Sequence, residues 1–230
     1  MIPTPEVGHL RRAEYAGAVY DPAEDTFALI DALEMDAAAL VALGPVLCVE
    51  IGAGSGCVSA FLARIAGASS AAYICTDISR AAAQCTAETG CRNGVLLSPV
   101  LTSTLDALLP RAAGAIDVLL FNPPYVVTSD EEERQEQAAA ALGGALAGGS
   151  MGTRLIDVMI EARVPYRALR PGGRFYLVAI HRNEPDVLVR RLQGCGMETE
   201  IILKRRANRE LLYIIRAVKP RGVEGTEVVL

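Results

Sequence analysis

The stretch of sequence that decides the fold reads Val46-Leu47-Cys48-Val49-Glu50-Ile51-Gly52-Ala53-Gly54-Ser55-Gly56-Cys57-Val58-Ser59. Its apolar first half predicts a buried strand, and the residues after Gly56 predict a helix. The alternating glycines between them allow a tight turn with no Cβ atoms in the way. A ligand can therefore lie against bare backbone and the N-terminus of the next helix, as in nucleotide-binding α/β folds.

The acidic residues around this turn indicate the charge of the ligand. The glycines have the spacing G-x-G-x-G, whereas a dinucleotide fingerprint has its third glycine one place later. Glu50, inside the end of the strand, would repel an anionic pyrophosphate and attract a cation. The next predicted strand ends on Asp77, about twenty residues on, where an acid can accept hydrogen bonds from both ribose hydroxyls. A positively charged nucleoside is implied, which S-adenosylmethionine matches better than NAD.

A second motif, Asn122-Pro123-Pro124-Tyr125, follows the apolar run Val118-Leu119-Leu120-Phe121. The run predicts a buried strand that stops here, because two prolines cannot continue a ladder. In an open α/β sheet, the carboxyl ends of strands border the ligand crevice. Asn122 offers a carbonyl acceptor, the proline-fixed backbone presents immobile carbonyls, and Tyr125 can stack on a flat group. These groups suit a planar NH2 group, although Pro-Pro alone would favour an ordinary strand end and turn.

The order of elements predicts a doubly wound α/β fold with a seven-stranded, mostly parallel sheet. Apolar residues recur at helical spacing over 22–43, with Pro22 suited to the first turn. Strands that alternate with helices pair in parallel. The predicted strands are 46–51, 71–76, 95–101, 117–121, 174–180, 199–205 and 211–218. A short connection joins the last two strands, which predicts a terminal antiparallel hairpin. We expect a domain over 19–220, with tails at 1–18 and 221–230.

Composition narrows the class of protein. The chain has 230 residues, of which 51% are hydrophobic, enough for one domain with a single core. Its net charge of −5 argues mildly against binding duplex nucleic acid. The six cysteines lie mostly in apolar patterns without a C-x-x-C pair, and no metal site is expected. Because we find no signal peptide and no apolar run near the ~20 residues that span a bilayer, we expect a soluble, cytoplasmic protein without membrane contact, with the nucleus as an additional location.

Several motifs, taken in order, resemble those of a known family. They are Tyr20-Asp21-Pro22-Ala23-Glu24-Asp25-Thr26-Phe27, residues 50–62, Cys75-Thr76-Asp77-Ile78, residues 121–128 and Ala147-Gly148-Gly149. Over roughly residues 19–218, the chain resembles the class I S-adenosylmethionine-dependent methyltransferases of the HemK type, in particular their short eukaryotic and archaeal branch. The Gly-x-Gly-x-Gly motif alone is weak evidence for this family. The combination of that motif and NPPY, in this order after the YxPAEDTF segment, is strong evidence.

The resemblance implies a strand order of 3-2-1-4-5-7-6 and roles for individual residues. Catalysis is implied for Asn122, Pro123 and Tyr125. Contacts to S-adenosylmethionine are implied for Tyr20, Thr26, Glu50, Gly52, Gly54, Gly56, Asp77, Ile78, Ser103 and Asn122. Ser103 stands where the family usually has an aspartate that binds the adenine amino group. A serine hydroxyl can accept a hydrogen bond from the adenine amino group, but without the charge assistance that a carboxylate gives. We therefore expect weaker cofactor binding, unless Asp106 reaches the adenine amino group.

The family methylates the glutamine side chain of translation release factors, so the resemblance implies this N5-methylation, on the Gly-Gly-Gln loop. Other activities stay open. A nucleic-acid amino methyltransferase, acting on N6 of adenine or N2 of guanine, would use the same NPPY motif, although the acidic charge argues against it. A protein-lysine methyltransferase acting on histones and a non-catalytic binding module are further alternatives. Residues 127–152 predict a mobile loop over the substrate.

The resembled branch is the catalytic subunit of a heterodimer with a small zinc-binding activator protein. The edge strand predicted at 95–101 offers a place for such a partner. It is apolar along most of its length and lacks the charges that usually protect an edge, which invites sheet extension. The mean hydropathy of +0.30 also suggests an uncovered apolar surface. We expect that a lysine in place of Leu97 disrupts the pair.

Overall fold

The computed structural model describes residues 1–105, 107–123, 154–207 and 210–222. Seven strands in these residues form one sheet, in the order β3-β2-β1-β4-β5-β7-β6. The strands are β1 (Leu47–Ile51), β2 (Ala72–Asp77), β3 (Leu97–Leu101), β4 (Ile116–Phe121), β5 (Leu169–Ile180), β6 (Glu198–Ala207) and β7 (Glu210–Val218). Strands β1 to β5 pair in parallel, and β7 is antiparallel to both of its neighbours. The predicted fold class and strand order are confirmed, although β5 begins at Leu169 and not at 174.

Helices cover both faces of the sheet. They are α1 (Glu24–Met35), α2 (Ala37–Leu43), α3 (Cys57–Ala66), α4 (Arg80–Arg92), α5 (Leu109–Ala112), α6 (Arg154–Glu161), α7 (Val164–Ala168) and α8 (Pro185–Gly194), with 3-10 turns at Gly8–Arg11 and His181–Asn183. Along β4, Val118 and Leu120 belong to the core on one face, whereas Leu119 and Phe121 belong to the core on the other. Because side chains alternate along a strand, this continuous apolar run fills two cores at once.

The helical pattern over 22–43 forms two helices, because Asp36 separates α1 from α2. Its carboxylate accepts a hydrogen bond from the Tyr176 hydroxyl at 2.7 Å and pairs with Arg174 and Arg216. These partners belong to β5 and β7, so the local sequence does not contain them. Pro22 precedes the N-cap residue Ala23 and is not part of the first turn.

The first residues of the chain pack on the domain. Leu10, Tyr15 and Val19 are buried against Ala82 and Cys85 of α4. Of the six cysteines, Cys91 is exposed and the others are buried free thiols, as predicted from their apolar surroundings. In the part of the chain that the structure describes, no helix has the length and apolar character needed to cross a membrane. The domain boundaries proposed at 18/19 and 220/221 stay predictions.

Candidate active site

The glycine-rich turn leads from the carboxyl end of β1 into α3. Gly52, Gly54 and Gly56 have φ angles of 64°, 53° and 73°, in the left-handed region that favours glycine. A Cβ atom added at Gly52 or Gly54 would meet nothing within 4 Å, so the space above the turn is open to a ligand. A Cβ atom added at Gly56 would lie 3.1 Å from the Cα atom of Thr86, so this glycine is needed for close packing on α4.

Asp77 ends β2 and faces this turn. One carboxylate oxygen accepts the N–H of Gly54 at 2.9 Å, and the other accepts the N–H of Ser79 at 2.8 Å. Burial raises the pKa of Asp77, while the backbone hydrogen bonds oppose that rise. The Ile78 N–H also donates to this carboxylate. Asp77 is therefore a fixed acceptor beside the open space above Gly54, with capacity left for a ligand hydroxyl.

Glu50 is buried near the end of β1. Its carboxylate accepts the N–H of Ser59 at 3.0 Å and a short hydrogen bond from the Ser59 hydroxyl. Burial raises the pKa of Glu50 to about 7, and the charge of Asp77 adds to the rise, whereas the Ser59 hydrogen bonds oppose it. A positive charge beside Glu50 would stabilise its ionised form. The structure thus provides a group that titrates near neutral pH next to the turn.

Asn122 follows the last residue of β4, and its side chain is oriented by Asp25. Its Nδ2 atom donates to Oδ2 of Asp25 at 2.9 Å. Because a carboxylate only accepts, this contact assigns the nitrogen end of the Asn122 amide. The opposite atom, Oδ1, is buried and accepts no hydrogen bond from the described residues. Burying an acceptor without a hydrogen bond costs folding free energy. The position of Oδ1 therefore suits a ligand donor such as an N–H group.

Asp25 lies in the first turn of α1 and is itself held in place. It is 3% exposed and accepts the N–H of Thr26 at 2.7 Å and the Tyr20 hydroxyl at 3.2 Å. The Thr26 hydroxyl also faces the Ala23 N–H at 3.4 Å, which gives Thr26 a part in the start of the helix. Asp25 belongs to the YxPAEDTF segment, but the sequence did not predict its contact with Asn122. An acid in the first turn of a helix is common, so the sequence held no specific signal for this role.

Exposed apolar side chains flank the Asp77 side of the site. Ile78 is 52% exposed and Leu101, the last residue of β3, is 54% exposed. The Thr102 N–H donates to the carbonyl of Asp77 at 3.0 Å, which fixes the segment after β3 beside the end of β2. Ser103 is exposed on that segment. This apolar surface suits the flat face of a nucleoside base, and the neighbouring Asp77 carboxylate suits the sugar of the same nucleoside.

The site therefore forms at the carboxyl ends of β1, β2 and β4. It brings together the predicted residues Glu50, Gly52, Gly54, Asp77, Ile78 and Asn122, and Tyr20 and Thr26 join them through Asp25. Pro123 directly follows Asn122 in the chain. Tyr125, Asp106 and the predicted loop over 127–152 lie outside the described residues. The roles assigned to all these residues stay predictions.

Comparison with known proteins places the chain among methyltransferases. No family model matches it. Methyltransferase HEMK2 of Mus musculus is 43% identical over 218 residues, which cover 95% of this chain and 97% of the relative. This chain belongs to the HEMK2/Mtq2 methyltransferase family. The eRF1 methyltransferase catalytic subunit mtq2 of Schizosaccharomyces pombe is 38% identical over 227 residues, covering 94% and 95% of the two chains. The family resemblance found in the motifs is confirmed.

Solved structures agree with this family and fold. One is the E. cuniculi Mtq2–Trm112 complex, described as responsible for methylation of the eRF1 translation termination factor. It has a TM-score of 0.65 and 26% identity, and covers 88% of this chain and 99% of that one. A ribosomal protein L11 methylase from Lactobacillus delbrueckii has a TM-score of 0.54 and 19% identity. The match covers 87% of this chain and 81% of that one, and it supports the fold alone. The chain is thus a methyltransferase with the class I fold.

Proposed function

We propose that this enzyme transfers a methyl group from S-adenosylmethionine to the side-chain nitrogen of the glutamine in the Gly-Gly-Gln loop of a translation release factor. The observation that carries the proposal is the buried Oδ1 atom of Asn122, which has no donor among the described residues and is held in one orientation by Asp25. The relatives support the substrate, because the Schizosaccharomyces pombe protein is named an eRF1 methyltransferase catalytic subunit.

The described residues fit the cofactor. The open space above Gly52 and Gly54 admits a ligand close to the backbone, and the Asp77 carboxylate would accept hydrogen bonds from ribose hydroxyls. Ile78 would contact the base, and Glu50 would balance the positive charge of the methionine part. When bound, the cofactor supplies an electrophilic methyl group on sulfur.

The chain's own residues mainly orient the acceptor nitrogen. An amide nitrogen is a poor nucleophile because its lone pair is delocalised, so its position relative to the methyl group matters most. Asn122 Oδ1 and the carbonyl of Pro123 would accept the two N–H bonds of the substrate amide. Acceptors that are fixed before the reaction stabilise the charge that develops as the nitrogen loses a proton. Asp25 contributes by preventing rotation of the Asn122 amide.

A small zinc-binding activator protein would bind at the edge strand β3. Leu96, just before β3, is 81% exposed and Leu101 is 54% exposed, so this edge carries uncovered apolar side chains. The opposite edge, β6, carries Lys204, Arg205 and Arg206, which protect an edge from pairing. The Mtq2–Trm112 complex is a two-protein assembly of a related enzyme. These observations favour β3 as the docking edge.

Leu97 is not part of that docking surface, which corrects the expectation from sequence. Its side chain is 3% exposed and belongs to the core, where it contacts the site of Gly90. Because neighbouring side chains point to opposite sides of a strand, Leu96 and Leu97 face different surroundings. A lysine at Leu97 would therefore disrupt the core and would not report on the partner.

A methyl-transfer assay tests the substrate. Labelled cofactor is supplied with a release factor, with the same factor carrying alanine for the glutamine, and with DNA. We expect label on the unmodified release factor alone. Label on DNA, with none on the release factor, would contradict the proposal.

Asn122→Ala serves as the active-site variant in this assay. It should lower the rate by roughly 10²-fold and change cofactor affinity only a few-fold, because it removes an acceptor for the substrate. Asp77→Ala is the matched control, since it should weaken cofactor binding through the lost ribose contacts. Equal loss of cofactor affinity in both variants would argue that Asn122 is structural.

A further inference from the structure

His9 begins a chain of hydrogen bonds that runs from the N-terminal segment, residues 1–19, to the glycine-rich turn. The histidine is 2% exposed, and its ring meets the Tyr15 ring edge-on at a centroid distance of 5.7 Å. Its Nε2 atom lies 3.1 Å from Oγ1 of Thr89 and 3.4 Å from the carbonyl oxygen of Cys85. The N-terminal segment thereby contacts polar groups in the buried face of α4.

Two threonines on α4 connect this histidine to the turn. Thr89 donates to the carbonyl of Ser55 at 2.6 Å, and Thr86 donates to the carbonyl of Gly54 at 3.0 Å. Both side chains are fully buried on one face of the helix. Threonine is a poor residue for a helix interior, so its presence at both positions is explained by the two carbonyls that it binds. Helix α4 therefore fixes successive peptide groups of the turn.

The hydrogen-bond chain has a defined direction. Thr89 has one hydroxyl proton, which goes to Ser55, and the Cys85 carbonyl can only accept. The Cys85 thiol, with Sγ 3.3 Å from Nε2, is a weak donor and a weak acceptor, so the two oxygen acceptors decide the assignment. We therefore assign the ring proton of His9 to Nε2, which donates to Thr89. A hydroxyl that accepts a hydrogen bond becomes a stronger donor. The other ring atom, Nδ1, is buried and without a hydrogen-bond partner among the described residues, so the Nε2 side provides the polar contacts of the ring.

We infer that His9 is a positioning residue for cofactor binding: through Thr89 it holds the Ser55 carbonyl and thereby the conformation of the glycine-rich turn. The inference rests on the proposed binding of S-adenosylmethionine at that turn. Gly54 is already fixed on one side by Asp77 and on the other by Thr86. The contact from Thr89 extends this fixation to Ser55, so the N-terminal segment supports affinity without reaching the ligand.

The test compares variants that break the chain with variants that preserve it. His9→Leu and Thr89→Val should each raise the dissociation constant for S-adenosylmethionine about tenfold, as expected for one hydrogen bond in a network. Thr89→Ser keeps the hydroxyl and should restore the affinity. The rate at saturating cofactor should change little, and amide hydrogen exchange over residues 52–57, measured without cofactor, should become faster in the two breaking variants. The double variant should bind S-adenosylmethionine no more weakly than the weaker-binding single variant, because both substitutions break the same chain of hydrogen bonds.

Leu10→Ala is the matched control for packing of the N-terminal segment. Leu10 is 5% exposed in the same cluster, and its substitution should lower the melting temperature without changing the dissociation constant. If His9→Leu behaves like Leu10→Ala, or if the single effects add in the double variant, the inference is wrong. Should His9→Leu fail to fold, the comparison of Thr89→Val with Thr89→Ser decides. Failure of the unmodified enzyme to bind cofactor would instead contradict the proposed function. Hydrogen exchange over the turn would still test the hydrogen-bond chain from His9 to Ser55.

Discussion

The Asn122 amide donates a 2.9 Å hydrogen bond to the carboxylate of Asp25, which lies 97 positions earlier in the chain. This contact joins the end of β4 to the first turn of α1. It determines which end of the Asn122 amide points away from Asp25, and it leaves Oδ1 without a hydrogen-bond donor among the described residues. The helix before the sheet thus orients the side chain that begins the NPPY motif.

Asp25→Asn should impair catalysis through Asn122. An amide at position 25 can donate as well as accept, so it no longer dictates the orientation of Asn122. We expect the turnover rate at saturating substrates to fall roughly 10- to 100-fold, the range for a lost transition-state contact, with a smaller change in cofactor affinity. Asp31→Asn, on the same helix but paired with Arg205, is the control and should leave turnover unchanged. A variant of Asp25 with normal turnover would show that Asn122 is oriented by other groups.

Stability should fall with rising pH because of Glu50. Its pKa is about 7 in the folded protein, compared with an ordinary value of 4.5, so folding retains a proton on this group. The contribution is therefore fully present below pH 4.5 and is lost as pH rises through about 7, by on the order of 3 kcal/mol. Glu50→Gln should remove this dependence and unfold at higher denaturant concentration than the unmodified protein at pH 8. Parallel pH profiles for the two proteins would disprove the assignment.

Cofactor binding should release a proton from Glu50. A positively charged ligand stabilises the ionised carboxylate, so it lowers the raised pKa of this group. Affinity for S-adenosylmethionine should therefore increase as pH rises through about 7. Calorimetry at pH 6.5 in buffers of different ionisation enthalpy measures the released proton directly. The release should be absent in Glu50→Gln, which also binds the cofactor more weakly.

Ser103→Asp should strengthen cofactor binding. Ser103 is exposed on the segment that Thr102 ties to the end of β2, beside Asp77. A carboxylate there would provide a charge-assisted acceptor for the adenine amino group, with a gain of about 1–2 kcal/mol. Titration calorimetry with S-adenosylmethionine measures the change, and Ser103→Asn supplies a neutral control. Unchanged or weaker binding would mean that the base has another partner.

Leu96→Lys should separate partner binding from folding. Because Leu96 is 81% exposed, a lysine there should leave the melting temperature of the isolated chain unchanged while weakening the heterodimer. Leu97→Lys is the contrasting variant, since burying a charge in the core should destabilise the chain itself. Co-purification with the activator and thermal unfolding measure the two effects. A heterodimer that tolerates lysine at Leu96 would place the partner elsewhere.

Local patterns in the sequence determined most of the fold. The apolar runs predicted the central strands such as β4, because a strand buried on both faces needs continuous apolar residues. The edge strands β3 and β6 are only partly buried, and the alternation of elements predicted them. The glycine-rich turn was predicted from its spacing, because positive φ angles at alternate positions favour glycine. The strand order came from the family resemblance, since parallel strands can be arranged in several ways by connections of the same length.

Contacts between distant residues decided the rest. The local pattern around Asp25 contains no sign of Asn122, and the apolar residues around Leu97 do not show that it faces the core while Leu96 faces outward. Likewise, Asp36, which separates α1 from α2, is paired with arginines from β5 and β7 that are distant in sequence. A buried polar group must find its partner wherever the folded chain places one, so these features follow from tertiary structure and not from local sequence.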